Sequence, residues 1–285
     1  MEFRPDAYVP DMEDSVPNGE KLQARGAISA HLKKLSAVGP KIIPRVNSLE
    51  TGLTEEDLAT VVGPYVHGVS IGKIHSAEDI RYLSALITDI ENKKNITSGQ
   101  TRLILWIETA QAVVHCYAIC RASPRIIGVA FGAEDFTHDM GIERIVDESE
   151  SELAYARHAL CIAARAANIP AFDTPYFKFK DEVGLTKNVL IGKKCGFKGK
   201  FAIHPAQVDI INRMYSPSEQ DIDHARRVVA AFEKAEQAGR GSTSLQGKVI
   251  DVPVVKRARA VLELAESLSM SVKTKDTSTS GVLER

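Results

Sequence analysis

Seven short apolar runs punctuate the chain, each ending on or leading into charged or polar residues, with helix-like segments between them. They cover residues 7–11, 41–46, 68–73, 103–108, 126–131, 169–173 and 200–204. Short runs rich in Ile, Val and Leu read as buried strands, and strand–helix alternation reads as a parallel sheet. The intervening segments predict helices over 20–35, 55–62, 77–92, 110–121, 152–167 and 182–195, with cap-like residues at Thr54 and Ser76. The fold class expected is α/β, a TIM-type (β/α)8 barrel. Its first strand is lacking: the first run starts at residue 7, and an upstream segment or a nonstandard element is expected to complete the sheet.

Past the last run, Ser216-Pro217-Ser218 opens an amphipathic helix over 219–238, and the Gly/Ser-rich stretch 239–244 ends it. A hairpin over 245–252 and a helix over 254–267 follow. The expected organisation is a barrel domain over 1–215, a helix–hairpin–helix extension over 216–270 and a polar, disordered tail over 271–285.

Composition narrows the function. A barrel needs ~250 residues, and the chain has 285. A net charge of −1 gives no bulk attraction toward nucleic acid or an anionic membrane. No apolar run reaches the ~18 residues of a membrane span, and the N-terminus shows no secretory h-region. Cys116, Cys120, Cys161 and Cys195 form no CxxC pair, which reads as a reduced, intracellular protein. The placement expected is cytoplasmic for the chain as given, or mitochondrial where an N-terminal segment precedes it. No GxGxxG or GxxxxGK[ST] motif supports nucleotide binding, and the histidines lack ligand spacing.

In a barrel of this kind the active site forms at the C-terminal ends of the strands. Those ends carry Glu13 and Asp14, Arg45, Lys73, Glu108, Glu134 and Asp135, Asp173, and His204. Glu108 closes the run 103–107 and Asp135 follows the next run, so two carboxylates on adjacent strands can share a hard cation. Mg²⁺ favours one or two carboxylates with open positions for water and substrate, and Mn²⁺ accepts the same set. The alternative is that these acids merely cap the following helices. Arg45 suits bidentate capture of a carboxylate, unless it pairs structurally with a neighbouring Glu. Lys73 can neutralise the acidic cluster or bind substrate. His204 is either a structural residue or a supporting member of the site.

The segments 11–16 (DMEDSV), 45–47 (RVN), 107–110 (IETA), 131–136 (FGAEDF), 196–200 (GFKGK) and 203–205 (IHP) resemble the citrate lyase beta-subunit-like group of the HpcH/HpaI aldolase superfamily. The segment 246–253 (QGKVIDVP) is similar to the eukaryotic citramalyl-CoA lyase branch. The resemblance implies a Mg²⁺-dependent carbon–carbon lyase that cleaves a citramalyl-, malyl- or citryl-type thioester into a keto acid and an acyl-CoA. It makes Glu108 and Asp135 the metal ligands and gives substrate binding to Arg45 and Glu108. Glu13, Asp14, Lys73, Glu134 and His204 become supporting residues. It makes Asp251 an acid/base that reaches a neighbouring subunit's site, which implies a homo-oligomer, a trimer by this resemblance. Without it, Asp251 reads as a hairpin carboxylate. Two departures accompany the resemblance: the family's first strand has no counterpart here, and Gly72-Lys73 stands where relatives have Pro-Lys. Other readings of the residues are a noncatalytic metal-binding barrel acting as an assembly subunit, and an aldolase on free hydroxy-keto acids.

Overall fold

Pairing follows chain order across all seven expected runs. The strands are β1 (Ala7–Tyr8), β2 (Lys41–Ile42), β3 (Arg45–Val46), β4 (Gly68–Ile71), β5 (Arg102–Ile107), β6 (Ile126–Phe131), β7 (Ala171–Asp173) and β8 (Gly199–Lys200). In this computed structural model, which describes residues 3–145 and 150–279, β1 lies parallel to β2, and β3 to β8 form a parallel sheet in sequential order. The second run splits into β2 and β3 at Pro44, which has no N–H to give. Around it Ile43 N–H donates to Tyr8 O (2.9 Å) and Arg45 N–H to Pro10 O (2.8 Å), and an Asp11–Arg45 bridge continues the pairing.

Helices follow the strands as a TIM-type barrel requires. They are α1 (Lys21–Ser36), α2 (Thr54–Val61), α3 (Ala77–Lys93), α4 (Ala110–Cys120), α5 (Ala133–Asp139), α6 (Ala154–Ala166) and α7 (Glu182–Cys195). Ser76 caps α3 in a reciprocal capping box with Asp79. Thr54 does not cap α2. It is the helix's first residue, and its hydroxyl donates to Asn47 O at 3.0 Å.

Strand alternation sorts the core into two layers. Leu103, Leu105 and Ile107 of β5 pack outward with Ile80, Leu83 and Ile87 of α3 in the main apolar cluster. Ile104 and Trp106 point into the barrel, where Ile43, Ala130, Phe172 and Phe201 complete a second cluster. The Trp106 and Phe201 rings lie 4.4 Å apart, and Trp106 Nε1–H donates to Ser70 Oγ at 2.8 Å.

The chain divides into two compact units, Met1–Ile211 and Asn212–Arg285, with α8 (Ala206–Tyr215) running across the division. The second unit packs α9 (Glu219–Gln237) and α10 (Val252–Thr279) with a hairpin of β9 (Thr243–Leu245) and β10 (Lys248–Ile250). Its core is Ala225, Val228, Phe232, Ile250, Val255 and Ala258. The hairpin sits slightly earlier than expected because the chain reverses at Gln246-Gly247, both with positive φ (52° and 75°). The helix α10 runs on to Thr279, beyond the Ser271 at which a disordered tail was expected. A polar composition does not itself exclude helix, and residues 280–285 lie outside the described residues. Among the described residues, no helix is long and apolar enough to cross a membrane.

Candidate active site

The alternation that sends Ile104 and Trp106 inward carries Glu108 to the same side, just past the C-terminal end of β5. Its buried carboxylate lies between two glycines. A Cβ at Gly72 would stand 2.6 Å from Glu108 Oε1, and one at Gly132 would overlap Oε2 and the Glu108 Cβ. At Gly132 the overlap reaches the Glu108 Cβ, so a side chain there would displace the whole residue, whereas at Gly72 it would meet only the flexible carboxylate ends of Glu108 and Glu13. Lys73, at φ 53°, turns its backbone N–H onto Oε1 at 2.5 Å. Burial pushes the Glu108 carboxyl up to about 8, the neighbouring Asp135 charge adds to the rise, and the Lys73 N–H opposes it.

Asp135 sits half-buried in the first turn of α5, beside Glu108. A buried carboxylate held against its own ionisation beside a second one suits a divalent cation, which would replace the missing counter-charge. Among the described residues, no group of three or more His, Cys, Asp and Glu side chains forms a metal cluster. Two carboxylates alone would leave positions for water and substrate, an arrangement that Mg²⁺ tolerates.

Three acids from the 11–14 segment face the site's two cations. Arg45 donates through Nε to Asp11 Oδ1 (2.7 Å) and through Nη2 to Asp11 Oδ2 (2.6 Å). Its Nη1 lies 3.2 Å from Glu13 Oε2 and 3.4 Å from Asp14 Oδ2. Lys73 Nζ donates to Glu13 Oε1 (3.1 Å) and Asp14 Oδ1 (2.9 Å). Burial raises the Glu13 carboxyl, with Arg45 and Lys73 acting against it, whereas the paired acids raise both Arg45 and Lys73 against the cost of burying them. The loop after β3 is anchored by Asp57, which accepts from Asn47 N (2.9 Å), Asn47 Nδ2 (2.7 Å) and Arg25 Nε (2.7 Å).

Arg45, Glu13, Asp14, Lys73, Glu108 and Asp135 thus form one cluster. Glu134 is turned away and pairs with Arg144. His204 stacks on Phe179 with ring centroids 4.8 Å apart, and its Nδ1 accepts the Ala206 N–H (3.2 Å) at the start of α8. Asp251 caps α10, where its Oδ1 accepts the Val254 N–H at 3.1 Å.

Asp173, one of the expected strand-end acids, does not join the ring. Ala171 packs outward and Phe172 inward, so Asp173 faces the helices. There, fully buried, it accepts from Lys200 Nζ (2.9 Å) and Arg157 Nε (3.2 Å), which hold its carboxyl below the usual range against the effect of burial. Arg157 also meets Glu150 at 2.6 Å, and Lys200 donates to Asn188 Oδ1 at 2.6 Å. Sequence reasoning gave no role to Gly72, Gly132, Trp106 or Asp11. The signal for the glycines was their place immediately after strands whose neighbours end on acids.

Residues 1–205 match the family described as HpcH/HpaI aldolase/citrate lyase. The chain belongs to this family. Within it, the citrate lyase subunit beta of Leuconostoc mesenteroides subsp. cremoris is 37% identical over 265 residues, 93% of this chain and 87% of the relative. The human mitochondrial citramalyl-CoA lyase is 31% identical over 273 residues, 92% of this chain and 79% of its own length. The crystal structure of CitE from Mycobacterium tuberculosis, in complex with magnesium, acetoacetate and coenzyme A, is 25% identical and superposes with a TM-score of 0.72, covering 90% of this chain and 88% of that one.

Proposed function

We propose that this chain is a Mg²⁺-dependent carbon–carbon lyase. It cleaves a 3-hydroxy-acyl thioester of the citramalyl-, malyl- or citryl-CoA type into a keto acid and an acyl-CoA. The observation that carries this reading is the Glu108 carboxylate, buried beside Asp135 in its glycine slot with Lys73 against it. The lyases among the family's members and the magnesium, acetoacetate and coenzyme A bound by the Mycobacterium tuberculosis protein support it.

Glu108 and Asp135 would hold the Mg²⁺. Bound there, the ion supplies Lewis-acid polarisation of the oxygens on the keto-acid portion of the substrate. Arg45 and Lys73 receive that portion's carboxylate and fix its position relative to Glu108. Asp251, supplied by a neighbouring subunit, takes the proton of the substrate hydroxyl as the C–C bond breaks. The oxygen's electron pair becomes the new C=O of the keto acid, and the C–C bond pair passes to the thioester fragment as an enolate. Asp251 returns the proton to that carbon. On this reading the active form is a homo-oligomer, a trimer by the family resemblance, because the acid/base comes from another chain.

The test is a screen of citramalyl-, malyl- and citryl-CoA with Mg²⁺, with and without EDTA. At least one thioester should release a keto acid, and EDTA should abolish the release. Release from none of the three, or release untouched by EDTA, would sink the proposal.

A further inference from the structure

The Arg45 guanidinium is fixed on two sides without any substrate. Its face lies over the Trp106 ring, with Cζ 5.9 Å from the centroid, and Trp106 is itself tied to Ser70 and Phe201. Its Nε–Nη2 edge is closed by Asp11 through two short hydrogen bonds. The fold builds this contact: Asp11 and Arg45 are bridge partners on adjacent extended segments, and Met12 N–H donates to Arg45 O at 3.0 Å. A two-pronged fork for substrate, the role expected of Arg45, is therefore already engaged.

We propose that Asp11 is the positioning residue for Arg45. It occupies the Nε–Nη2 edge, so the substrate carboxylate is received at Nη1 together with Lys73 Nζ. This inference rests on the lyase reading for the identity of the substrate.

The three acids of the segment are not equivalent. Each Asp11 oxygen has partners beyond Arg45: Oδ1 accepts the Glu13 N–H (2.9 Å), and Oδ2 accepts the Ser15 hydroxyl (2.5 Å) and N–H (3.3 Å). Burial works against the Asp11 charge, yet Arg45 and these donors hold the carboxyl down at about 2, so it stays an anion. Asp14, by contrast, is 48% exposed and bridges Arg45 Nη1 and Lys73 Nζ. A carboxylate that bridges the two cations from the solvent side stands where a substrate carboxylate would bind, and its exposure lets it be displaced. Asp11 cannot yield in the same way without losing its loop contacts.

A double-mutant cycle tests the assignment. In Asp11→Asn, KM for the cleaved thioester and Kd for the released keto acid should both rise roughly tenfold, as loss of a charge-assisted bond would give. The kcat should stay within about twofold, as for loss of uniform binding, and Mg²⁺ affinity should not change. In an Arg45→Ala background the same substitution should add less than about twofold, because its effect passes through Arg45. Ser15→Ala, which loosens Asp11 without touching Arg45, should move the same quantities in the same direction by less. The full Asp11→Asn effect persisting without Arg45, or an equal loss of Mg²⁺ affinity, would overturn the proposal. A substrate-free readout separates it from the lyase reading. In ¹⁵N-arginine-labelled protein the Arg45 Nε–H, identified by its loss in Arg45→Lys, should exchange slowly in the wild type and rapidly in Asp11→Asn. Unchanged exchange would rule Asp11 out as the positioning residue even if every thioester were cleaved, and the predicted change would support it even if none were.

Discussion

The backbone N–H of Lys73 and the Oε1 of Glu108 meet at 2.5 Å because Lys73 adopts a left-handed conformation, at φ 53°. A non-glycine residue there costs about 1–3 kcal/mol, a strain found where a site over-determines the backbone. Here it aims an amide at a carboxylate that burial would otherwise leave with few donors, while the side chain of the same residue reaches Glu13 and Asp14.

The glycine slot is the first thing to disturb. In Gly132→Ala the added methyl must displace Glu108, so Mg²⁺ affinity should fall at least about tenfold while overpacking costs about 1–3 kcal/mol of stability. Calorimetric titration and a urea melt measure both, and unaltered Mg²⁺ binding would show that the slot does not shape the carboxylate.

Proton linkage gives a second expectation. Metal-free Glu108 keeps its proton up to about 8, against an ordinary 4.5. Between those values the folded state binds more protons than the unfolded chain, so metal-free stability should fall as pH rises through that window and be indifferent to this group below it. Mg²⁺ must displace the proton, so its affinity should rise with pH and its binding should release protons near neutrality. Titration in buffers of contrasting ionisation enthalpy checks this. A pH-independent affinity with no proton release would contradict it.

Asp251→Ala should fold and bind Mg²⁺ normally but lose nearly all lyase turnover, since only an α10 cap is given up, costing about 0.5–2 kcal/mol. Mixed with Arg45→Ala under conditions of subunit exchange, it should regain activity, because some sites then hold both residues intact. No recovery despite demonstrated exchange would return Asp251 to its own chain or to a capping role.

A stability expectation lies away from the chemistry. Glu91, fully buried, accepts from Arg125 through Nη1 (3.0 Å) and Nη2 (2.7 Å), and from the N–H groups of Gly99 (2.8 Å) and Thr101 (2.7 Å). Arg125→Met should cost about 3–5 kcal/mol by stranding that charge. Arg81→Met, at an exposed pair with Glu78, should leave the denaturation midpoint where it is.

The strand order was legible because short apolar runs recur between helix-like segments, and Glu108 because it closes the run 103–107; that it faces inward follows from Ile104 and Trp106 packing in the barrel. Asp173 was not, because the run 169–173 offers no alternation to read, and its parity follows from Phe172 packing on Phe201. Asp11 was visible only as part of a motif. Its partner lies in another strand, and only the register of that pairing brings them together. The helix α5 went unread because its residues, AEDFTHD, are mostly polar and look like a loop, though Phe136 anchors it against Phe131 at 5.5 Å.

Lys200, buried against Asp173 on the helix-facing side of the sheet, bears on solubility as well as on packing. Among the described residues β8 pairs with β7 alone and is two residues long, one a glycine and the other a lysine whose ammonium is buried on Asp173. A foreign strand approaching that border finds almost no ladder to extend, and prying it wider would strip a lysine from its counter-ion. Short border strands and inward-pointing charges are how sheets avoid recruiting other chains. At that border the fold thus sets a buried ion pair beside a strand too short to offer much ladder to another chain.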